Sequence, residues 1–308
     1  MTTSSAAGPA EGPDRTAEFE RHRPRMFSLA YRMLGSAEEA QDVVQDAYLR
    51  FAGTEPGSVE HLGGWLAKVV TNLCLNRLTS ARARRERYAG PWLPEPVLTS
   101  DGALGPLESA EQRESVSAAL LLLLERLTPT ERAVYVLREA FAYGYREIAS
   151  VLGLGEANCR QLYRRATARI GEPGARFAPS ERVRRELAEA FVGAAREGDL
   201  AALEKLLAAD VVWWGDGGGK VSAARRPVEG REKVLRFLVG VAERYLVGAE
   251  LSVAEVNGGP GLVVTVGGRL FAVVTFEVRG GLVVAAQTVL NPDKLEFMGA
   301  QLAAAREG

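Results

Sequence analysis

The sequence predicts a multidomain chain: two all-α domains followed by one C-terminal α+β domain. Three observations predict it. Apolar residues recur at helical spacing through the first 170 residues. Strand-like runs joined by glycine pairs are confined to the last third. Breaks rich in Pro and Gly at 90–110 and 172–180 divide the chain. The 308 residues are 47% hydrophobic, enough for real cores. A net charge of −1 excludes a globally basic nucleic-acid coat, so any DNA contact must come from local clustering.

The N-terminal stretch 1–15 is polar and rich in Pro, Gly and Ser, and is expected to be a disordered tail. It lacks the apolar core of a signal peptide, and no later apolar run reaches membrane-spanning length. A cytoplasmic protein without membrane contact is expected. Cys74 and Cys159 both fall on apolar helix faces and read as buried thiols, without metal-ligand spacing. No cofactor and no metal are expected.

The first helical domain is expected at 16–89. Its first helix carries Phe19, Met26, Leu29, Ala30 and Met33 on one side, with Pro24 set to kink it or delay its start. Ser36 and Glu39 form a capping box for a second helix. That helix turns Val43, Val44, Ala47 and Phe51 inward. Its other face, with Asp42, Gln45 and Asp46, is acidic and amidic, which suits either solvent or a basic partner. After a Gly- and Pro-rich loop at 53–64, a helix from Trp65 to about Arg87 ends in a basic run.

The linker at 90–110 holds Trp92, Leu93, Pro94, Glu95 and Pro96. Its prolines stiffen it, and a tryptophan between them is better docked than exposed. The second helical domain, at 111–171, opens with one helix from about Glu111 to Leu127. Thr128, Pro129 and Glu131 then give a capping box with proline at N1. A short helix from Tyr145 to Leu152 ends at Gly153, and a third runs to about Ile170. Ala149, Gly153, Cys159 and Leu162 have helix-turn-helix spacing. The third helix presents Arg160, Gln161, Arg164, Arg165 and Arg169, groups suited to phosphates and base edges. A helical hairpin with a solvated basic face has the same pattern.

The third domain, at 181–308, begins with helices near 181–197 and 199–208 and a strand at 211–214. A helix at 230–246 precedes strands near 250–256, 261–267, 269–278 and 282–290, joined by tight turns such as Asn257-Gly258. An antiparallel sheet wrapped on helices is expected. Alternation puts Trp213 and Trp214 on opposite faces.

These residues resemble a known family. FERHRPRMFSLAYRMLGSAEEAQDVVQDAYLRF is similar to region 2 of extracytoplasmic-function (ECF) sigma factors, and LTPTERAVYVLREAFAYGYREIASVLGLGEANCRQLYRRA to their region 4. The third domain resembles the SnoaL-like, NTF2-like fold that one group of these factors carries. That group's motifs read here Trp92-Leu93-Pro94-Glu95-Pro96, Asp216-Gly217-Gly218-Gly219-Lys220 and Asn291-Pro292-Asp293-Lys294-Leu295.

The resemblance implies a sigma factor that directs RNA polymerase core enzyme to promoter DNA. Asp42, Gln45 and Asp46 would face the polymerase. His61, Asn72, Asn76, Arg77, Arg82, Arg84 and Arg85 would meet the −10 element, and the third-helix set the −35 element. His61 equally suits a plain loop position. The loop 216–220 would dock on the linker and set how the two DNA-reading domains sit, with 291–295 as a latch, although its glycines also suit a hairpin turn. No separate anti-sigma factor would then be required. The alternative is a ligand-sensing DNA-binding regulator that does not bind core polymerase. An enzyme ranks below both, because neither of the two histidines, His22 and His61, lies in the third domain.

Overall fold

The computed structural model describes residues 15–85, 88–105, 107, 110–171, 180–245 and 247–307; the side chains at 81–84, 110 and 307 lie outside that description. Residues 1–14 of the expected tail at 1–15 and most of the expected break at 172–180 fall outside it too, while Arg15 opens the first helix instead of ending a tail.

Three helices build the first unit: α1 (Arg15–Leu34), α2 (Ala37–Ala52) and α3 (Leu62–Arg85). The helix α1 continues through Pro24, which does not delay its start. A proline inside a helix forfeits one backbone hydrogen bond, and fully buried Phe19 and Met26 on either side hold the helix in place. The Ser36 hydroxyl accepts the Glu39 amide at 3.0 Å to start α2. The helix α3 begins three residues before Trp65, because Leu62 is buried. Gly63 sits where an added Cβ would lie 3.4 Å from the His22 ring.

Five helices follow: α4 (Ala110–Glu114), α5 (Ala118–Leu124), α6 (Pro129–Glu139), α7 (Tyr145–Leu152) and α8 (Glu156–Ile170). The single helix expected at 111–127 is broken. The Ser117 hydroxyl accepts the Leu120 amide at 3.1 Å and starts a new helix, while the Ser115 hydroxyl accepts from Arg32 at 2.9 Å.

The two helical units share one core. A single apolar cluster runs from Phe19 in α1 to Ile170 in α8, with α3 packed on α6 and α7, and α1 on α6. Arg132 of α6 is buried in the seam. It donates to the carbonyl of Met33 at 2.7 Å and of Leu124 at 3.0 Å, and pairs with Glu125.

The third unit comprises α9 (Glu181–Glu197), α10 (Leu200–Leu206), β1 (Leu207–Asp216), β2 (Val228–Glu229), α11 (Arg231–Tyr245), β3 (Ala249–Val256), β4 (Gly259–Val266), β5 (Arg269–Arg279), β6 (Leu282–Val289) and α12 (Pro292–Glu307). Its strands lie in the order β2-β1-β6-β5-β4-β3. The expectation of a wholly antiparallel sheet is corrected: β1 and β6 run parallel. The crossover through α11 separates β1 from the β3–β6 meander, which brings β6 back along β1 in the same direction. The helix α12 is an addition to the expected elements.

The sheet has two covered faces. Trp213 lies in the core beneath α9–α11. Trp214 points the opposite way, toward a cluster that joins the linker residues Leu93 and Leu98 to Leu295 and Met298 of α12.

Candidate functional site

The helix-turn-helix is built as its sequence dictates. Thr128 and Glu131 exchange capping bonds, and Gly153 takes φ +66° to end α7. Buried Cys159, Leu162, Ala166 and Ile170 seat α8. Arg160, Gln161 and Arg164 are exposed; Arg160 pairs with Glu156 on its own helix at 2.9 Å, and its guanidinium lies 5.4 Å from the centre of the Tyr145 ring of α7. Arg165 and Arg169 are also solvent-accessible, but they reach back to Glu131 of α6 at 3.3 and 2.5 Å. Burial raises the pKa of Glu131; the bonds from Thr128 and the two arginines outweigh it, and the carboxyl stays below its usual range.

On the first unit, Asp42 and Asp46 of α2 both accept from Arg77 of α3, at 3.1 and 2.9 Å. Arg77 thus ties the two helices together instead of standing free beside Asn72 and Asn76, which are exposed. His61 is exposed just before α3, and Gln45 is exposed on α2. The side chains of Arg82 and Arg84 lie outside the described residues. Arg85 departs from its expected place at a phosphate. Its guanidinium turns inward to pair with Glu125, donates to the Leu34 carbonyl, and lies 3.8 Å from the centre of the Trp92 ring.

The three interdomain motifs meet at one place. The carboxylate of Asp216, with 0% of the residue's surface exposed, accepts four hydrogen bonds. They come from the Tyr88 hydroxyl at 2.6 Å, the Leu93 amide at 2.8 Å, the Gly218 amide at 3.1 Å and the Lys294 ammonium at 2.7 Å. Lys294 also donates to the Leu93 carbonyl at 2.6 Å. Burial pushes its pKa down to about 8, against the pull of Asp216 and Glu95. Burial, and the charge of Asp216 beside it, push the Tyr88 hydroxyl up.

Asn291 donates to the Tyr88 oxygen at 2.8 Å and packs so closely on Gly218, at φ +60°, that any Cβ there would collide with it. Gly217 and Gly219 complete the turn, and Lys220 pairs with Asp293 at 2.7 Å in solvent. Pro292 opens α12, with the Asp293 amide bonded to Asn291 Oδ1 at 3.2 Å.

The linker is a buried strap between the helical body and the sheet. The Trp92 ring lies over Gly35, where φ is +67° and a Cβ would stand 2.8 Å from the ring. Lys294 Nζ is 4.3 Å from the ring centre. Pro94 and Pro96 are buried, and between them Glu95 accepts the Ala37 and Glu38 amides at 2.7 and 3.1 Å, capping α2 from a distant segment.

Several groups of this site carry no sequence signal. Tyr31 donates to the Glu95 carbonyl at 2.5 Å. Asn257, read only as a turn residue, accepts the Val97 amide at 3.2 Å and donates to Tyr31 and to the Val116 carbonyl. Gln301 accepts the Leu98 amide at 2.9 Å, and Phe297 stacks on Phe27 with ring centres 5.3 Å apart. Only the turn dipeptide Asn257-Gly258, with its positive φ, marked any of them.

The family models agree with this architecture: Sigma-70 region 2 matches residues 19–84, and Sigma-70, region 4, matches 117–170. A region-2 helical unit followed by a region-4 helix-turn-helix defines a sigma-70-type initiation factor. The chain is 38% identical over 297 residues to the ECF RNA polymerase sigma factor SigJ of Mycobacterium tuberculosis, covering 93% of this chain and 94% of that one. It is 30% identical over 289 residues to the probable ECF RNA polymerase sigma factor SigI of the same species, covering 93% and 97%. The crystal structure of SigJ superposes with a TM-score of 0.72 at 34% identity, covering 92% of this chain and 98% of that one. The chain therefore belongs to the ECF RNA polymerase sigma factors, with an α+β domain following region 4. Its activity is promoter-specific transcription initiation with RNA polymerase core enzyme. Among the described residues, no helix is long and apolar enough to cross a membrane.

Proposed function

We propose that the fused C-terminal domain regulates this sigma factor by holding regions 2 and 4 in a closed pair through the strap. The observation that carries the reading is Asp216, which joins Tyr88, the Leu93 backbone and Lys294 in one buried cluster. Promoter elements named −10 and −35 are about 25 base pairs apart, roughly 85 Å of duplex at about 3.4 Å per pair. Here α3 and α8 both pack on α7. Helix axes in contact are about 8–10 Å apart, so the two DNA-facing helices stand within about 20 Å of each other. One closed molecule cannot span both elements, so initiation requires the pair to open.

In the open factor, Arg160, Gln161 and Arg164 read the −35 element. His61, Asn72 and Asn76 face the −10 element, with Arg82 and Arg84 on phosphates; Arg77 joins them only on leaving Asp42 and Asp46. Arg85 joins them only after leaving Trp92. Asp42, Gln45 and Asp46 meet the polymerase. Because the restraint is carried in the same chain, no separate anti-sigma factor is needed. The C-terminal domain acts as a regulator and not as an enzyme: it contains no histidine, and fold alone confers no chemistry.

Run-off transcription with purified core enzyme tests the reading. Truncation after Phe177, in the segment outside the described residues, and Asp216→Asn in the full chain should both change output at a cognate promoter. Equal output from all three proteins would leave the C-terminal domain without a regulatory role.

A further inference from the structure

On the face of the sheet away from the strap, the C-terminal domain holds a cavity of about 760 Å³, within the range of small-molecule sites. Phe191, Leu238, Leu262, Val264 and Phe271 are among its walls, on elements from both sides. The Trp213 indole faces it, and its N–H is already satisfied by the Thr288 hydroxyl at 2.8 Å. The charged residues at the cavity, Arg236, Glu243 and Arg244, are exposed. An ionised ligand would lose its water here without gaining a buried counter-charge. On α11, only Val234 is buried, so Leu238 and its neighbours keep apolar surface turned to the cavity.

The cavity also touches the latch. Gly215 and residues 222–224 line it. Gly215 precedes Asp216 in β1, and Leu290, another lining residue, donates its amide to the Asp216 carbonyl at 2.8 Å. An occupant pressing on Gly215 and Leu290 therefore sits one residue from Asp216 and from Asn291, members of the cluster that grips Tyr88 and the strap.

We propose that this cavity binds an uncharged, largely apolar small molecule, and that its occupancy is transmitted through Gly215 and Leu290 to the Asp216 cluster. The second half rests on the regulatory reading above; the first half stands without it.

The test uses the full chain and two probes, uncharged N-phenyl-1-naphthylamine and anionic 8-anilinonaphthalene-1-sulfonate. The uncharged probe should saturate at one per chain and bind at least about tenfold tighter than the sulfonate. Ala272→Phe, which fills the cavity from the sheet, should abolish binding. Leu238→Trp, which fills it from half-buried α11, should do the same and guards against misfolding of the first variant. Hydrogen exchange at the Leu93 and Gly218 amides should change at least about fivefold on adding the uncharged probe to the wild type, and not in Leu238→Trp. Absence of saturable binding, preference for the sulfonate, or binding that survives both fillings overturns the site. Saturable binding with unchanged exchange overturns the coupling. Failure of the regulatory reading is seen separately, in transcription that ignores truncation while the probe still binds.

Discussion

Asp216 and Lys294 form the buried ion pair on which the interdomain contact turns. Removing one partner of such a pair leaves a charge without water or counter-charge and costs about 3–5 kcal/mol. Asp216→Asn and Lys294→Met should each lower the thermal midpoint of the full chain by several degrees, and the double variant should lose less than their sum. Strict additivity in calorimetry would deny that they act together. Their pH dependence has a definite sign. Lys294 sits at about 8 when docked against an ordinary 10.5. Between those values the undocked chain binds a proton that the docked one has released, so docking strengthens as pH rises. From pH 8 to 10 the gain is about 2–3 kcal/mol. Above 10 the trend reverses, because docked Tyr88 keeps a proton that the free hydroxyl loses. Glu95, raised by burial, acts with that same opposite sign in the acid range. Midpoints of wild type minus Lys294→Met should therefore climb between pH 8 and 10; parallel curves would contradict the placement of the lysine.

The helix-turn-helix was legible because its determinants are local. A capping box, a glycine with positive φ and apolar residues at helical spacing all act within a few residues. The strand runs and their glycine turns were legible for the same reason. What stayed hidden depends on partners far away in sequence. Glu95 caps α2 from 58 positions downstream, and Asn257 bonds to Tyr31 across 226. The break between α4 and α5 is hidden in the sequence because Ser117 fits a helix interior as well as a cap. The helix α12 was missed because Pro292 and Asp293 fit a turn as well as a first helical turn. The arginines of α8 look equivalent by spacing, yet they divide by contact. Arg160→Ala and Arg164→Ala should each weaken holoenzyme binding to its promoter by about 1–3 kcal/mol in gel shifts. Arg169→Ala removes a partner of buried Glu131 and should lower the stability of region 4 as well. If Arg160 and Arg164 prove silent in gel shifts, α8 loses its assignment as the reading helix.

The organisation of the whole molecule was only half legible. Composition and breaks mark three units, and the motifs at 92–96, 216–220 and 291–295 suggest a docking set. That regions 2 and 4 would share one apolar core was not legible, because each helix face that meets the other region looks like an ordinary core stripe. The seam at Arg132, Glu125 and Arg85 joins the two regions, and the strap lies between them and the sheet. The most direct test measures the separation of the two regions. Leu49 on α2 is exposed, as is Ala168 on α8, while both native cysteines are buried. Leu49→Cys and Ala168→Cys can therefore be spin-labelled selectively in the full chain. Pulsed dipolar spectroscopy should give one narrow, short distance for the free protein. It should give a broad, longer distribution when Asp216→Asn is added. An equally narrow, unchanged distance with Asp216→Asn would contradict the claim that the C-terminal domain keeps the pair closed.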